Sequence, residues 1–228
     1  MDIVVTGYAG LEGSIAIYND KELGQKLKER YSESFFGVFR DNAFCLKHGR
    51  NQCTANANAD AVRGVCQVCR DTSDNADMAD GDNAKFGEDL LAKGRNNQEL
   101  DRLYADYAAD GLAADGSDGG VLAALWKVLK NNRKGGMYAL RDIPLLQQTV
   151  EVCEMYALNP YRLYAPGCRV WLSTDTDVLA KAAATAGVPL SVIGFTSKGV
   201  AIRRTDTDAD SSLRRPEGDE LRKVLKEI

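Results

Sequence analysis

Apolar positions recur along this chain at two spacings, and each spacing predicts one type of element. A spacing of three to four residues is typical of amphipathic helices. Helices are predicted over residues 11–18, 21–36, 99–109, 121–131, 147–158, 176–186 and 217–228. Alternating or β-branched runs are typical of strands. Strands are predicted over residues 3–6, 137–140, 168–172, 190–195 and 200–204.

This order of elements predicts an α+β fold, in which helices cover a layered, mixed β-sheet. The turn-forming residues 197–199 separate the last two predicted strands, which indicates that these strands pair as a hairpin. Thr176 is expected to cap the helix that follows it, and Gly187 to end that helix.

The glycine-rich turn of residues 115–120, DGSDGG, precedes the predicted helix over 121–131. Ser117 or Asp118 is expected to be the N-cap, and the paired glycines admit the backbone to the first turn without a side chain in the way. The first N–H groups of a helix lie unpaired at the positive end of its dipole, which suits a phosphate or a carboxylate. An ordinary capped turn without a ligand is the alternative, because the sequence has neither a G-x-G-x-x-G nor a Walker pattern.

Residues 42–96 differ from the rest of the chain, since they are rich in Ala, Asn, Asp and Gly and poor in large aliphatic residues. Two of their motifs, C-x-x-H and C-x-x-C, have the spacing that binds one tetrahedral Zn²⁺. The predicted zinc ligands are Cys45, His48, Cys66 and Cys69, with Cys53 as an alternative ligand. Free thiols in a loop, or redox or iron–sulfur chemistry, are the other interpretations.

Composition narrows the class of protein. A hydrophobic fraction of 44% in 228 residues is enough to form a core. The formal net charge of −4 does not favour a nucleic-acid surface. The sequence has neither an apolar run near the ~20 residues of a membrane span nor a signal-peptide profile. We therefore expect a soluble, cytoplasmic protein that binds neither nucleic acid nor membrane. Its cysteines are expected to be thiols or metal ligands rather than disulfides.

Several stretches, in the correct order, resemble the C-terminal domain of the AIR synthase-related superfamily, and most of all its hydrogenase-maturation dehydratase branch. They are residues 4–13, 118–121 with the helix that follows, 142–154, 158–163 and 187–194. The resemblance implies one domain formed by residues 1–41 and 97–208. The cysteine-rich insert, 42–96, and a tail, 209–228, complete the predicted organisation.

The resemblance also implies a ligand site. In the family, this domain offers a glycine-rich loop to phosphates or to a phosphorylated substrate, and an N-terminal domain pairs into a dimer and holds most of the ATP site. The residues expected to contact a nucleotide such as ATP, or another phosphorylated ligand, are Asp115, Ser117, Asp118, Gly119, Gly120 and Asn159. This sequence is expected to lack the N-terminal domain, so a separate N-domain protein or self-association would replace it.

Three departures from the family pattern predict that the chain is not catalytically complete alone. Ala114 stands where the family loop has a histidine, and residues 165–167 replace a Ser-Gly pair. The tail ends in Ile228 rather than in a reactive cysteine. Two functional hypotheses follow: a stand-alone domain that binds a phosphorylated ligand with a partner, or a non-catalytic, oligomeric protein that binds a metal or another protein.

Overall fold

The structure is a computed structural model of the chain and describes residues 1–37, 39, 98–207 and 211–225. The strands are β1 (Asp2–Thr6), β2 (Ala113–Gly116), β3 (Gly135–Tyr138), β4 (Ala165–Ser173), β5 (Leu190–Ser197) and β6 (Ile202–Arg204). The α-helices are α1 (Leu11–Asn19), α2 (Leu23–Arg30), α3 (Gln98–Ala109), α4 (Gly120–Asn131), α5 (Gln147–Met155) and α6 (Thr176–Ala186). Short 3-10 turns occupy Leu140–Asp142, Pro160–Arg162 and Glu220–Lys223.

The predicted insert, residues 42–96, lies outside the described residues. So do the predicted zinc ligands Cys45, His48, Cys66 and Cys69 and their alternative Cys53. The zinc site therefore stays a prediction from the sequence.

The strands form one mixed sheet in the order β2-β4-β1-β5-β3-β6. The β3–β6 pair is parallel and every other pair in this sheet is antiparallel. Helices pack on the sheet, so the predicted α+β class with a mixed sheet is confirmed. The first strand of the chain, β1, lies inside the sheet between β4 and β5.

Alternate residues of β1 face two different apolar clusters, because successive side chains of a strand point to opposite faces. Ile3 and Val5 pack in a cluster with α4, whereas Val4 packs with residues of α3 and α6. Trp171 of β4 lies in the same cluster as Val4 and is fully buried. The unbroken apolar run of β1 is therefore explained by burial on both faces of the sheet.

The predicted hairpin between the last two strands is wrong, because β3 lies between β5 and β6. Met137 of β3 pairs with Phe195 of β5 on one side and with Arg203 of β6 on the other. Gly194 makes the close β3–β5 approach possible, since a Cβ atom there would be 1.9 Å from the carbonyl oxygen of Met137. The turn residues 197–199 indicate that the chain reverses direction, but they do not indicate that β3 lies between β5 and β6.

Other element boundaries also differ from the prediction. The helix expected over 21–36 ends at Arg30, because Tyr31 is extended and its ring packs in the aromatic cluster of Tyr18 and Phe36. Asp175, not Thr176, caps α6, since its carboxylate accepts the N–H of Asp177 at 3.1 Å. The prediction lacked β2 altogether because its sequence, AADG, has no β-branched or aromatic residue. Towards the tail, where a helix was predicted over 217–228, the described residues contain only the 3-10 turn Glu220–Lys223.

Candidate anion-binding site

The glycine-rich turn connects β2 to α4 and places two consecutive glycines at the N-terminus of this helix. Gly119 and Gly120 have φ angles of 83° and 69°, a left-handed conformation that side chains disfavour. The N-cap is Gly119, and no side chain caps the helix there. The prediction that Ser117 or Asp118 is the N-cap is therefore wrong.

Asp115 explains why Ser117 does not cap the helix. The Asp115 carboxylate accepts hydrogen bonds from the N–H of Ser117 at 3.0 Å and from the Ser117 hydroxyl. The hydroxyl of Tyr104 donates a third hydrogen bond to it, at 2.8 Å. Burial alone would raise the pKa of Asp115, but these donors and the charge of Arg169 outweigh it and lower that pKa below its ordinary value. Asp115 thus holds the turn in shape.

Arg169 braces Tyr104 from the neighbouring strand. Its guanidinium lies 4.3 Å from the centre of the Tyr104 ring, and its Nη2 atom is 2.7 Å from Oδ1 of Asp101. Burial, together with the hydrogen bond to Asp115, raises the pKa of Tyr104 to about 12. The Tyr104 hydroxyl therefore stays protonated and remains a donor to Asp115 at neutral pH.

Residues 160–167 run directly past this glycine-rich turn. A Cβ atom at Gly120 would lie 2.6 Å from the carbonyl oxygen of Tyr161, and one at Gly116 would lie 2.9 Å from that of Ala165. The loop before α1 makes the same kind of approach, since a Cβ atom at Gly10 would lie 2.6 Å from the carbonyl oxygen of Pro160. Two glycine-rich turns therefore lie against one segment, and backbone of that segment fills the space that side chains would take.

A carboxylate from far along the chain lies at the N-terminus of α4. Oδ2 of Asp219 accepts the N–H of Gly119 at 3.1 Å. Oδ1 of Asp219 accepts the N–H of Tyr164 at 3.1 Å and the N–H of Leu221 at 2.8 Å. The turn therefore provides an N–H group that binds an anion, and here the anion belongs to the chain itself. Asp219 is not predictable from the sequence as part of this site, since its only local signal is its position before the turn that it caps.

Asn159 lies beside the same segment and uses its side chain locally. Its Oδ1 atom accepts the N–H of Tyr161 at 3.0 Å and so caps the 3-10 turn. Its own N–H donates to Oε2 of Glu220 at 3.4 Å. Asn159 and the glycine-rich turn therefore both contact the C-terminal residues 219–220. Asp118, by contrast, is exposed to solvent and lies 3.9 Å from Arg222 of the same C-terminal stretch.

Several charged side chains lie around the N-terminus of α4. Burial raises the pKa of Tyr164, and the negative charges of Glu12, Asp115 and Asp219 raise it further. The guanidinium of Arg162 lies 3.8 Å from Glu220 and 3.7 Å from Glu217. Acidic groups therefore outnumber basic ones here, and the favourable potential for an anion comes from N–H groups and from Arg162. No group of three or more His, Cys, Asp or Glu side chains suited to a metal ion occurs within the described parts of the chain.

Together, the sheet and the turn define an α+β domain in which a carboxylate of the chain itself lies at the N-terminus of α4. Its structural neighbours include HypE and thiamine-monophosphate kinase, both AIR synthase-related proteins, the superfamily that the sequence resembles. E. coli HypE, a hydrogenase maturation protein, has 13% identity and a TM-score of 0.48, with 94% of this chain and 49% of that chain covered. HypE in complex with ATP has 13% identity and a TM-score of 0.44, covering 95% and 50%.

Thiamine-monophosphate kinase from Stenotrophomonas maltophilia has 15% identity and a TM-score of 0.43, with 91% of this chain and 51% of that chain covered. This chain spans about half the length of each of these structures. At such identities the likeness concerns the fold. No protein-family model and no curated protein matches the chain. Among the residues that the structure describes, no helix has the length and apolar character needed to cross a membrane.

Proposed function

We propose that this chain binds a phosphorylated ligand or a nucleotide at the N-terminus of α4, and that it acts with a partner protein. The observation that carries the proposal is the 3.1 Å hydrogen bond from the N–H of Gly119 to a carboxylate oxygen of Asp219. An N–H group at the positive end of a helix that binds a carboxylate is equally suited to a phosphate oxygen. The glycines at 119 and 120 keep this helix end free of Cβ atoms.

Arg162 adds a charged donor beside the glycine turn. Its backbone packs on Gly120, and its Nη2 atom faces Glu217 at 3.7 Å. The planar guanidinium of arginine binds phosphate oxygens well and stays charged at every physiological pH. Asp219, which accepts the N–H of Gly119, and Glu220, which pairs with Arg162, are adjacent in sequence, so Arg162 would add positive charge near a phosphate bound at this turn.

A partner is proposed because the site is acidic. Glu12, Asp115 and Asp219 all oppose the ionisation of Tyr164, and they would oppose an added phosphate in the same way. Positive charge from outside the described residues would offset them, supplied by a second protein, a second copy of this chain or a divalent cation. We therefore propose that ligand binding is strongest in a complex and that this chain alone does not complete a reaction.

Binding of ATP, the nucleotide in the HypE complex described above, is the first experiment. Isothermal titration of the purified chain with ATP is expected to show binding. A Gly119→Ala variant is expected to bind about tenfold more weakly, because a Cβ atom at a φ of 83° strains the turn and shifts its N–H group, and a hydrogen bond to a charged group contributes about 1.5–3 kcal/mol. A Cβ atom at Gly119 would lie 3.0 Å from that of Ala123, at the helix end itself.

Gly111→Ala is the matched control for this titration. Gly111 has a φ of 71°, similar to the 83° of Gly119, but a Cβ atom there would meet no other atom within 4 Å. Both variants therefore carry the same kind of backbone strain, and only one alters the site. Equal ATP affinities of the two variants would contradict the proposal. ATP hydrolysis by the chain alone would contradict the need for a partner.

The second candidate, a non-catalytic, oligomeric interaction protein, is supported by an uncovered part of the sheet. Val192 and Phe195 of β5 are 47% and 53% exposed, and Val200 after it is 65% exposed. Large exposed apolar side chains can mark a contact with another protein. In this proposal the fold is retained, and the zinc predicted for residues 42–96 stabilises an interaction module.

Sedimentation equilibrium tests the second candidate. A chain that associates through β5 is expected to become monomeric when Phe195 is replaced by Ser. Val178→Ser is the matched control, because Val178 is 44% exposed and belongs to α6, not to β5. The same mass for the wild type and both variants, at the mass of one chain, would contradict the second candidate.

A further inference from the structure

The C-terminal segment, residues 217–224, contacts the body of the domain through three acidic residues. Asp219 accepts N–H groups of Gly119 and Tyr164, each at 3.1 Å. Glu220 accepts the N–H of Asn159 at 3.4 Å and lies 3.8 Å from Nε of Arg162. Glu217 adds a contact of 3.7 Å to the same guanidinium. Each of these acids thus faces a group that would also bind phosphate.

Asp219 and Glu220 are buried, so their contacts differ from those of mobile surface side chains. Asp219 is 9% exposed, and the side chain of Glu220 is 4% exposed. A buried carboxylate requires donors to replace its lost hydration. Backbone N–H groups from two separate parts of the fold supply them to Asp219, which makes this a specific anion-binding arrangement.

The fit at Arg162 is incomplete. Its Nε atom is buried and has no hydrogen-bond acceptor among the described residues. The carboxylate of Glu220 is at ion-pair distance, 3.8 Å, beyond the reach of a hydrogen bond. Glu220 directs its other oxygen to Lys223 at 2.6 Å instead. Nη2 of Arg162 donates to the carbonyl oxygen of Glu217 at 3.5 Å, so Nε is the donor of this guanidinium that an added anion would satisfy.

We infer that the C-terminal segment is an internal competitor for the proposed anion site, and that a ligand with two adjacent anionic groups displaces Asp219 and Glu220 when it binds. This inference rests on the proposed function of the α4 N-terminus. A diphosphate has the matching chemistry, since one phosphate group replaces Asp219 at the N–H groups and the other reaches Arg162. The apparent affinity is then reduced by the fraction of molecules in which the segment is bound.

Leu221 is the anchor that holds the competitor in place. It is 2% exposed and lies in the apolar cluster formed with α1 and α5. The turn that contains it is only a single 3-10 turn, Glu220–Lys223. Val224 is partly buried against the same cluster, so one buried and one partly buried apolar side chain hold this segment, and so short a segment can open locally without unfolding of the domain.

Titration with inorganic pyrophosphate tests the inference on the full chain. Asp219→Asn removes the charge and keeps the size of the side chain. Leu221→Ala weakens the anchor and leaves every group of the anion site unchanged. Both variants are expected to bind pyrophosphate about tenfold more tightly than the wild type, because each weakens the competitor, and charge-assisted hydrogen bonds are about twice as strong as neutral ones.

Asp175→Asn is the matched control, because Asp175 caps α6 as Asp219 caps its own turn. This variant is expected to bind like the wild type. Measurable and equal affinities in all four proteins would overturn the competitor while leaving the proposed site intact. Weaker binding by Asp219→Asn would also overturn it, since Asp219 would then support the site. No binding by any of the four proteins would refute the proposed function itself, and the inference with it.

Amide hydrogen exchange gives a second readout that does not depend on variants. The N–H groups of Gly119 and Leu221 both donate to Asp219 in the free protein. Saturating pyrophosphate is expected to keep Gly119 protected, because the ligand replaces Asp219 there, and to expose Leu221. Loss of protection at Leu221 supports displacement. Retained protection at both amides would overturn it.

Discussion

Gly120 lies so close to Tyr161 that a Cβ atom added to it would be 2.6 Å from the Tyr161 carbonyl oxygen. This oxygen belongs to the backbone, and it cannot move away as the end of a flexible side chain can. The glycine at this position is therefore needed both for its φ of 69° and for the close approach of the two chain segments.

Replacement of Gly120 by Ala is expected to lower the free energy of unfolding by about 3 kcal/mol, from left-handed strain and the backbone clash together. Gly111→Ala is expected to lower it by only about 1 kcal/mol, since its φ is 71° and its surroundings are open. Urea denaturation, followed by the fluorescence of the buried Trp171, measures both. Equal losses would mean that Tyr161 and Gly120 are not in contact.

The position of β3 between β5 and β6 is tested by a second pair of glycines. A Cβ atom at Gly194 would be 1.9 Å from the Met137 carbonyl oxygen, so Gly194→Ala is expected to disrupt the β3–β5 pair and to destabilise the protein by about 3 kcal/mol or more. Gly199 has a φ of 103° in open surroundings, and its replacement is expected to cost about 1 kcal/mol. If β5 and β6 formed a hairpin instead, Gly199→Ala would be the more harmful of the two.

The raised pKa of Tyr104 predicts that the free energy of unfolding depends on pH in the alkaline range. This pKa is raised from 10.0 to about 12 in the folded protein. A raised pKa means that the folded state favours the neutral phenol, so its contribution is complete below pH 10 and is lost as the pH rises towards 12. The contribution is about 1 kcal/mol, because this side chain is partly exposed to solvent.

Tyr104→Phe removes this titration and the hydrogen bond to Asp115. The variant is expected to be less stable than the wild type below pH 10, and the two stability curves are expected to converge as the pH approaches 12. Denaturant unfolding at several pH values measures both curves, and tyrosinate absorbance follows the ionisation directly. A constant difference between the curves up to pH 12 would contradict the Tyr104–Asp115 hydrogen bond.

The predicted zinc site is tested by counting thiols. Cys153 and Cys168 are buried, and burial raises the pKa of each, to about 12 for Cys153, so neither is expected to react with a thiol reagent in the folded protein. One zinc ion per chain, measured by elemental mass spectrometry, would leave one reactive thiol, and a chelator would raise this to four. The four are Cys45, Cys53, Cys66 and Cys69. Four reactive thiols before chelation would contradict the zinc prediction.

Elements whose apolar residues recur at a regular spacing are predictable from the sequence. Elements that are determined by contacts with distant parts of the chain are not. The run of β1 and the face of α4 were predictable, because burial imposes their spacing. The strand β2 was not, since small residues at a sheet edge have no such period. The turn of residues 115–120 was placed correctly at the start of a helix.

The sequence does not predict the hydrogen-bond partners of that turn that lie far away along the chain. Asp219 bonds to Gly119 across 100 positions, and its neighbours in sequence are charged residues typical of a tail. Likewise, Asp115 is a candidate ligand-binding residue from sequence, and its contact with Tyr104 follows only from the packing of α3. Whether Asp115, Ser117, Asp118, Gly119, Gly120 and Asn159 bind a ligand stays a prediction.

The place of β1 between β4 and β5 has a consequence for how the chain folds. The side chains of Thr6 and Trp171 are hydrogen-bonded at 3.0 Å across a separation of 165 positions. On the ribosome, β1 therefore emerges long before either strand that it pairs with, and it stays unpaired until those strands are made. Closing so long a loop is entropically unfavourable, and folds dominated by such distant pairs form slowly. The apolar run Ile3-Val4-Val5 is thus exposed to aggregation while the chain is still growing.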